Sequence, residues 1–334
     1  MKSADRARLY RLIFAAAAAY NAAFGIWAGF WPQSFFTRFD LPAPNYPAIW
    51  SCLGMVVGVY ALGYAYAARH LDRATPFIAI GLVGKMLGPA GWIVTVASGE
   101  WPVRTFTLIL FNDVIWWLPF SLFLIDGTRA GAALRRAAPA VCAALNLLAT
   151  LAMAAWLRFG TELVPQAADR ISYITAHAAQ WRAGWCLWIA AAISLVAFYA
   201  WWAGHLRDAR WAIGGVALAA VGLVCDMAGE SLLVGWLPRD YARMAPIATQ
   251  LTGTAANGLY TLGGIVLTLG TPFRDYWLRV MTWAVWIAGV SVTASTLAGM
   301  PIAVAMSTTA LFVLFCPWVL LLGRALRTTA IVSS

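Results

Sequence analysis

The sequence predicts an all-α protein, a polytopic transmembrane helical bundle of about ten helices with both termini on the cytoplasmic side. Three observations carry that reading. Hydrophobic residues make up 62% of the 334 and charged residues 11%, against roughly 45–50% and about 25% in soluble domains. The apolar residues are gathered into runs of about 20 or more, the length a helix needs to cross a ~30 Å hydrocarbon core. These runs do not alternate as barrel strands do, and lipid cannot satisfy free backbone groups, so the spans must be helices.

The expected spans are 9–31, 47–68, 76–97, 104–125, 138–158, 181–204, 211–236, 246–270, 279–299 and 301–323. The first follows a basic head and an alanine-rich core, MKSADRARLYRLIFAAAAAYNAAFG, that imitates a secretory signal. Its apolar run continues through Trp27 and Trp31, longer than an ordinary signal core, so a retained helix is expected. The second and third spans contain GMVVGVYALGY and GLVGKMLGPAGW. The spaced glycines Gly25/Gly29, Gly54/Gly58 and Gly84/Gly88 suit closely packed helices. Gly88-Pro89 is expected to interrupt the third span and free backbone carbonyls. The fourth span carries FNDVIWWLPF.

A polar break, Asp126-Gly127-Thr128-Arg129-Ala130-Gly131 with Arg135-Arg136 after it, then divides a four-helix module, 1–128, from a six-helix module, 129–334. Between spans five and six, Val164, Ala168, Ile171, Ile174 and Ala178 recur at steps of three and four, which predicts a short surface helix within Phe159–Trp181. His70-Leu71-Asp72-Arg73-Ala74 after span two and His205-Leu206-Arg207-Asp208-Ala209 after span six are alike. They would make spans 1–4 and 5–8 parallel repeats, as in some transporters, though five residues do not establish this.

The net charge of +10 is a topology signal. With the N-terminus inside, fifteen of the 23 Lys and Arg, among them Lys2, Arg6, Arg8 and Arg11, fall on the inner side, seven fall outside, and Lys85 lies within the membrane. No nucleic-acid partner is implied. The five cysteines fall inside spans and form no CxxC pair, against a disulfide framework or a zinc knuckle. Trp31, Trp50, Trp101, Trp181, Trp236 and Trp277 read as an interfacial belt. Trp116, Trp117, Trp188 and Trp286 are deeper, as core packing or as walls of an apolar site.

Two sets of ionisable residues lie in the spans. Lys85 is about nine residues, or ~13 Å, into span three, and Asp113 is about as far into span four from the other face. Their depths match within a side chain's reach. A charge there costs about 2.5–3.5 kcal/mol, so each is expected to partner the other, with Asn112 helping. Such a pair is either a lock between helices or the polar floor of a cavity. In span seven, VGLVCDMAGESLLVGW puts Asp226 and Glu230 on one face. Span eight carries Gln250, Thr254, Asn257 and Thr261 at steps of four, three and four, with Tyr260 alongside. Arg182 opens span six and His177 precedes it.

These residues together could line an outward-facing polar pocket. The competing reading is a bridge from Arg182 to Asp226 or Glu230. His177, Asp226 and Glu230 have no recognisable metal spacing, and no metal is assigned. No histidine is placed to hold a membrane haem, and no Walker, GxGxxG or GxSxG motif occurs, so no cofactor is evident.

The first four spans, on helix count, glycine-rich GMVVGVYALGY and GLVGKMLGP, and FNDVIWWLPF, resemble the small four-helix DoxX-like bacterial membrane proteins over about 125 residues. Some of that group are tied to redox chemistry, and the resemblance carries over no catalytic residue. The expectation is a bacterial inner-membrane protein in contact with the lipid bilayer. It would bind, and could modify, an amphiphilic or lipid-like small molecule. Asp226 and Glu230 would serve as charged or proton-accepting groups, Arg182 as anion partner, and Asn257 and Tyr260 as orienting groups. The alternatives are a proton-coupled transporter using the same carboxylates and a structural or assembly subunit held by buried ion pairs.

Overall fold

The computed structural model describes residues 3–126 and 128–332. Lys2, among the charges assigned to the inner side, and Gly127, in the polar break, lie outside the described residues. The described chain is helical and without strands: α1 (Ser3–Phe30), α2 (Pro32–Arg38), α3 (Pro47–Arg69), α4 (Thr75–Ala97), α5 (Phe106–Ile109), α6 (Ile115–Ile125), α7 (Arg129–Ala155), α8 (Ala167–Ala176), α9 (Ala178–Ala203), α10 (Ala209–Gly235), α11 (Tyr241–Thr249), α12 (Asn257–Leu269), α13 (Tyr276–Leu297) and α14 (Pro301–Val332). Nine stretches among the described residues are long and apolar enough to cross a membrane. A tenth helical rod runs through α11 and α12, with a π-helical turn, Gln250–Ala256, between them. A second π turn, Leu110–Val114, joins α5 to α6. Exposed apolar side chains such as Leu62, Val59 and Ile302, at 72%, 64% and 72% exposure, line these helices. A face of that kind requires hydrocarbon around it. The chain is a multi-pass membrane protein in contact with a lipid bilayer.

The described residues form two compact units that part between Ala132 and Ala133. In the first, α1 and α3 meet through their glycines. A methyl group on Gly25 would stand 2.6 Å from Gly58 Cα, and one on Gly54 would stand 2.7 Å from Gly29 N. Only hydrogen fits at either position. Phe14, Tyr64, Ile78, Trp116 and Phe120 fill the core behind them. The short α2 buries Phe35 and Phe36, and Phe35 stacks on Trp50 with centroids 4.8 Å apart. Asp40 takes a positive φ of 52° after α2. Arg104, 7% exposed, donates to the carbonyls of Phe39 and Asp40 at 2.8 and 2.9 Å and so holds that turn.

The third span is not interrupted as expected. Pro89 lies inside a continuous α4. Proline has no N–H to donate to the carbonyl four residues back, which is that of Lys85. The Trp117 indole donates to this carbonyl at 2.9 Å instead, so the helix continues without an orphaned acceptor.

In the second unit α10 and α12 touch backbone to backbone: a methyl on Gly263 would stand 2.7 Å from Gly215 O. Phe198, Tyr199, Trp202, Trp286 and Trp318 form the core. Three of its indoles are clasped by threonines: Trp202 donates to Thr271 Oγ1 at 2.9 Å, and Trp286 and Trp318 donate to Thr268 and Thr282, each at 2.8 Å. Each threonine hydroxyl in turn donates to a carbonyl four residues back, so it is satisfied on both sides. Trp92 and Thr105 repeat the contact in the first unit at 2.8 Å. The expected surface helix is α8, buried on one side at Ile174.

Candidate functional site

In the first unit the π turn Leu110–Val114 presents Asn112 and Asp113 to α4. Lys85 Nζ lies 3.7 Å from Asp113 Oδ1, with side-chain exposures of 7% and 5%. This is longer than a tight charge-assisted hydrogen bond, about 2.7–2.9 Å. The ammonium also donates to Asn21 Oδ1 at 3.3 Å, and Asn112 Nδ2 donates to Asp113 Oδ1 at 2.9 Å. Asn21 donates its own amide to Ala17 O at 2.8 Å, which fixes its oxygen toward the lysine. Gly88 supplies the room, because a methyl there would stand 2.6 Å from Asp113 Oδ2.

Asn21 escaped the sequence reading, although it is the one amide in an alanine-rich stretch of the first span. Around this pair Tyr64 Oη, Asn112 Oδ1 and Trp116 Nε1 are buried without a hydrogen-bond partner. The centre is thus an ion pair solvated by amides, with donor and acceptor capacity to spare.

In the second unit Asp226 and Glu230 follow each other by one turn of α10, 9% and 1% exposed. Tyr260 donates its hydroxyl to Asp226 Oδ2 at 3.1 Å, and Tyr199 donates to the carbonyl of Tyr260 at 3.1 Å. Gly222, one turn before Asp226, lets the Tyr260 ring cross α10, since a methyl there would stand 3.0 Å from the ring. Gly229 does the same for the π turn, lying 2.7 Å by the same measure from Thr252 Cγ2. Glu230 Oε2 is buried with no partner. On the facing helix, Trp181 donates to Leu233 O at 2.8 Å. Trp185 and Trp188 follow on the same helix, each ring against the one before it, and both of their indole N–H groups are buried and unpartnered.

The other expected pocket residues do not join the carboxylates. Arg182 is half-buried and forms no ion pair with Asp226 or Glu230 among the described residues. His177 is exposed and stacks on Tyr173 at 4.5 Å. Asn257 donates to Gly289 O at 2.7 Å and to Thr293 Oγ1 at 2.8 Å, both on α13. Thr254 donates to Gln250 Oε1 at 2.8 Å. Thr261 packs against Gly289. Asn257 and Thr261 therefore face α13, and Tyr260, about 100° away from Thr261 around the helix, turns to Asp226 on α10.

Near the end of α10 a cap of loop and short helix covers the site. Gly160 lies against the Trp181 ring, Tyr241 donates to Gly160 O at 3.4 Å, and Thr249 donates to Glu162 Oε1 at 3.2 Å. The Arg170 guanidinium lies 5.1 Å from the Tyr241 ring centroid. Burial, its largest influence, holds the Tyr241 phenol above its ordinary pKa, with Glu162 adding to the effect. No cluster of three His, Cys, Asp or Glu placed to hold a metal occurs among the described residues. No protein-family model, curated protein or solved structure matches the chain.

Proposed function

We propose that the protein binds an amphiphilic small molecule within the second unit, at the Asp226–Glu230 turn of α10, in a bacterial inner membrane with both termini cytoplasmic. The observation that carries this reading is Glu230 Oε2, buried and unpartnered beside a second carboxylate. Two carboxylates without a cation are costly in a low-dielectric interior. A positively charged or proton-donating group on a ligand relieves that cost. The Tyr260 ring, against Gly222 and bonded to Asp226, supplies an aromatic wall that also favours a cationic head. In this reading Tyr260 orients Asp226, and Asn257 serves α12–α13 packing. A DoxX-like origin of the first unit is part of the same proposal and lends no catalytic residue.

A second reading, proton-coupled transport, draws on the depth of Glu230, at 1% exposure. A proton is the one cation that needs no added space.

Asp226→Asn and Glu230→Gln separate these from a purely structural role. In protein purified in native lipid, mass spectrometry of organic extracts should find a molecule retained by the parent and lost from both variants. Thermal unfolding should move little. If both variants unfold far more readily and the extracts are unchanged, the carboxylates are structural. For transport, parent proteoliposomes should show pH-jump-driven proton uptake that Glu230→Gln abolishes; equal uptake sinks that reading.

A further inference from the structure

A groove of about 760 Å³ opens at the first turns of α13, between α12, the linker Pro272–Phe273 and α13 itself. We propose that it binds one anionic phospholipid, with the headgroup phosphate on Arg279 and an acyl chain along the α13 stripe. The stripe is Tyr276, Val280, Trp283 and Ile287, exposed at 64%, 41%, 38% and 66%. These positions recur on one face of the helix and descend about 16 Å from its first residue. Polar and aromatic groups stand at the helix end and purely apolar ones deeper, which is the order of headgroup, interface and chain in a lipid.

Arg279 is exposed and forms no ion pair among the described residues. No carboxylate lines the groove. Thr268 and Thr271 have hydroxyls in its wall, but these are taken by Trp286 and Trp202. The guanidinium is the cation in the groove that can meet a phosphate, in the bidentate geometry arginine favours. The neighbouring groove on the other side of α13, about 380 Å³, differs in this respect, because Asp275 accompanies Arg324 there. Charge complementarity therefore selects the first groove for an anionic head.

Native mass spectrometry of delipidated full-length protein, titrated with phosphatidylglycerol or phosphatidylcholine, tests the assignment. The parent should retain one phosphatidylglycerol in preference to phosphatidylcholine. Arg279→Gln should weaken that binding by roughly fivefold, the worth of one arginine at an anionic lipid surface, at an unchanged melting temperature. Arg279→Lys should keep part of it, and Arg324→Gln should leave it intact. Millimolar inorganic phosphate should not displace the lipid, since the chain contributes much of the binding. Equal retention by parent and Arg279→Gln, equal retention of the two lipids, or displacement by free phosphate would each overturn the proposal.

Discussion

Lys85 is tied to Asp113 at 3.7 Å and to Asn21 at 3.3 Å, so the first unit depends on all three. Lys85→Met leaves a carboxylate buried without its cation and should destabilise by about 3–5 kcal/mol. Lys85→Met with Asp113→Leu should recover most of that, because a matched apolar pair is often neutral. Thermal unfolding in detergent reads the cycle, and purely additive losses would show the two residues to be independent. Gly88→Ala forces a methyl to 2.6 Å from the carboxylate and should cost about 1–3 kcal/mol; in an Asp113→Ala background the same change should be nearly silent. The sequence made the Lys85–Asp113 pairing legible because two opposite charges at one depth have few other choices. It did not reveal Asn21, since an amide carries no charge that demands a partner. Arg182 was misleading for the opposite reason. An arginine at a helix end can reach water, so a carboxylate on the next helix does not compel a bridge.

Helix positions were legible from apolar runs alone, but helix faces were not always. Both buried acidic centres lie beside a π turn, Leu110–Val114 at Asp113 and Gln250–Ala256 across from α10. A π turn holds one residue more than an α turn and shifts the phase of everything after it. A stripe counted at 3.6 residues per turn therefore does not keep Gln250 and Thr254, inside the π turn, in phase with Asn257 and Thr261, which follow it and meet Gly289 on α13. Two substitutions on α12 test the observed facing. Asn257→Leu deprives Gly289 O and Thr293 of their donor and should lower stability by about 1–3 kcal/mol, while molecules retained by the protein stay the same. Tyr260→Phe removes the donor to Asp226 and should alter retention with a smaller change in unfolding. A reversed pattern would show the stripe, rather than Tyr260, to serve the site. Pro89 taught a related lesson. A proline predicts a freed carbonyl, and whether the helix breaks depends on a distant donor such as Trp117 that local sequence does not disclose.

At the scale of the molecule, the charge bias predicts ten spans with both ends on the cytoplasmic side. Single cysteines introduced in a cysteine-free background check this. Asp169→Cys, on α8, should react with a membrane-impermeant maleimide from outside intact cells, and Thr128→Cys only after permeabilisation; protection of position 169 would refute the ten-span orientation. The membrane class followed directly from the 62% hydrophobic composition, and Gly25/Gly29 and Gly54/Gly58 signalled close packing, whereas the indole clasps were not legible because they pair residues on different segments of the chain. Those clasps have a consequence of their own. An indole proton locked between a ring and a threonine cannot trade with deuterium until the helices around it separate. The N–H groups of Trp286 and Trp318, 3% and 0% exposed, should therefore exchange far more slowly in heavy water than that of Trp277, 75% exposed. Followed one ring at a time by NMR, they would serve as internal clocks, each timing how often the second unit breathes open at the depth where its tryptophan is held.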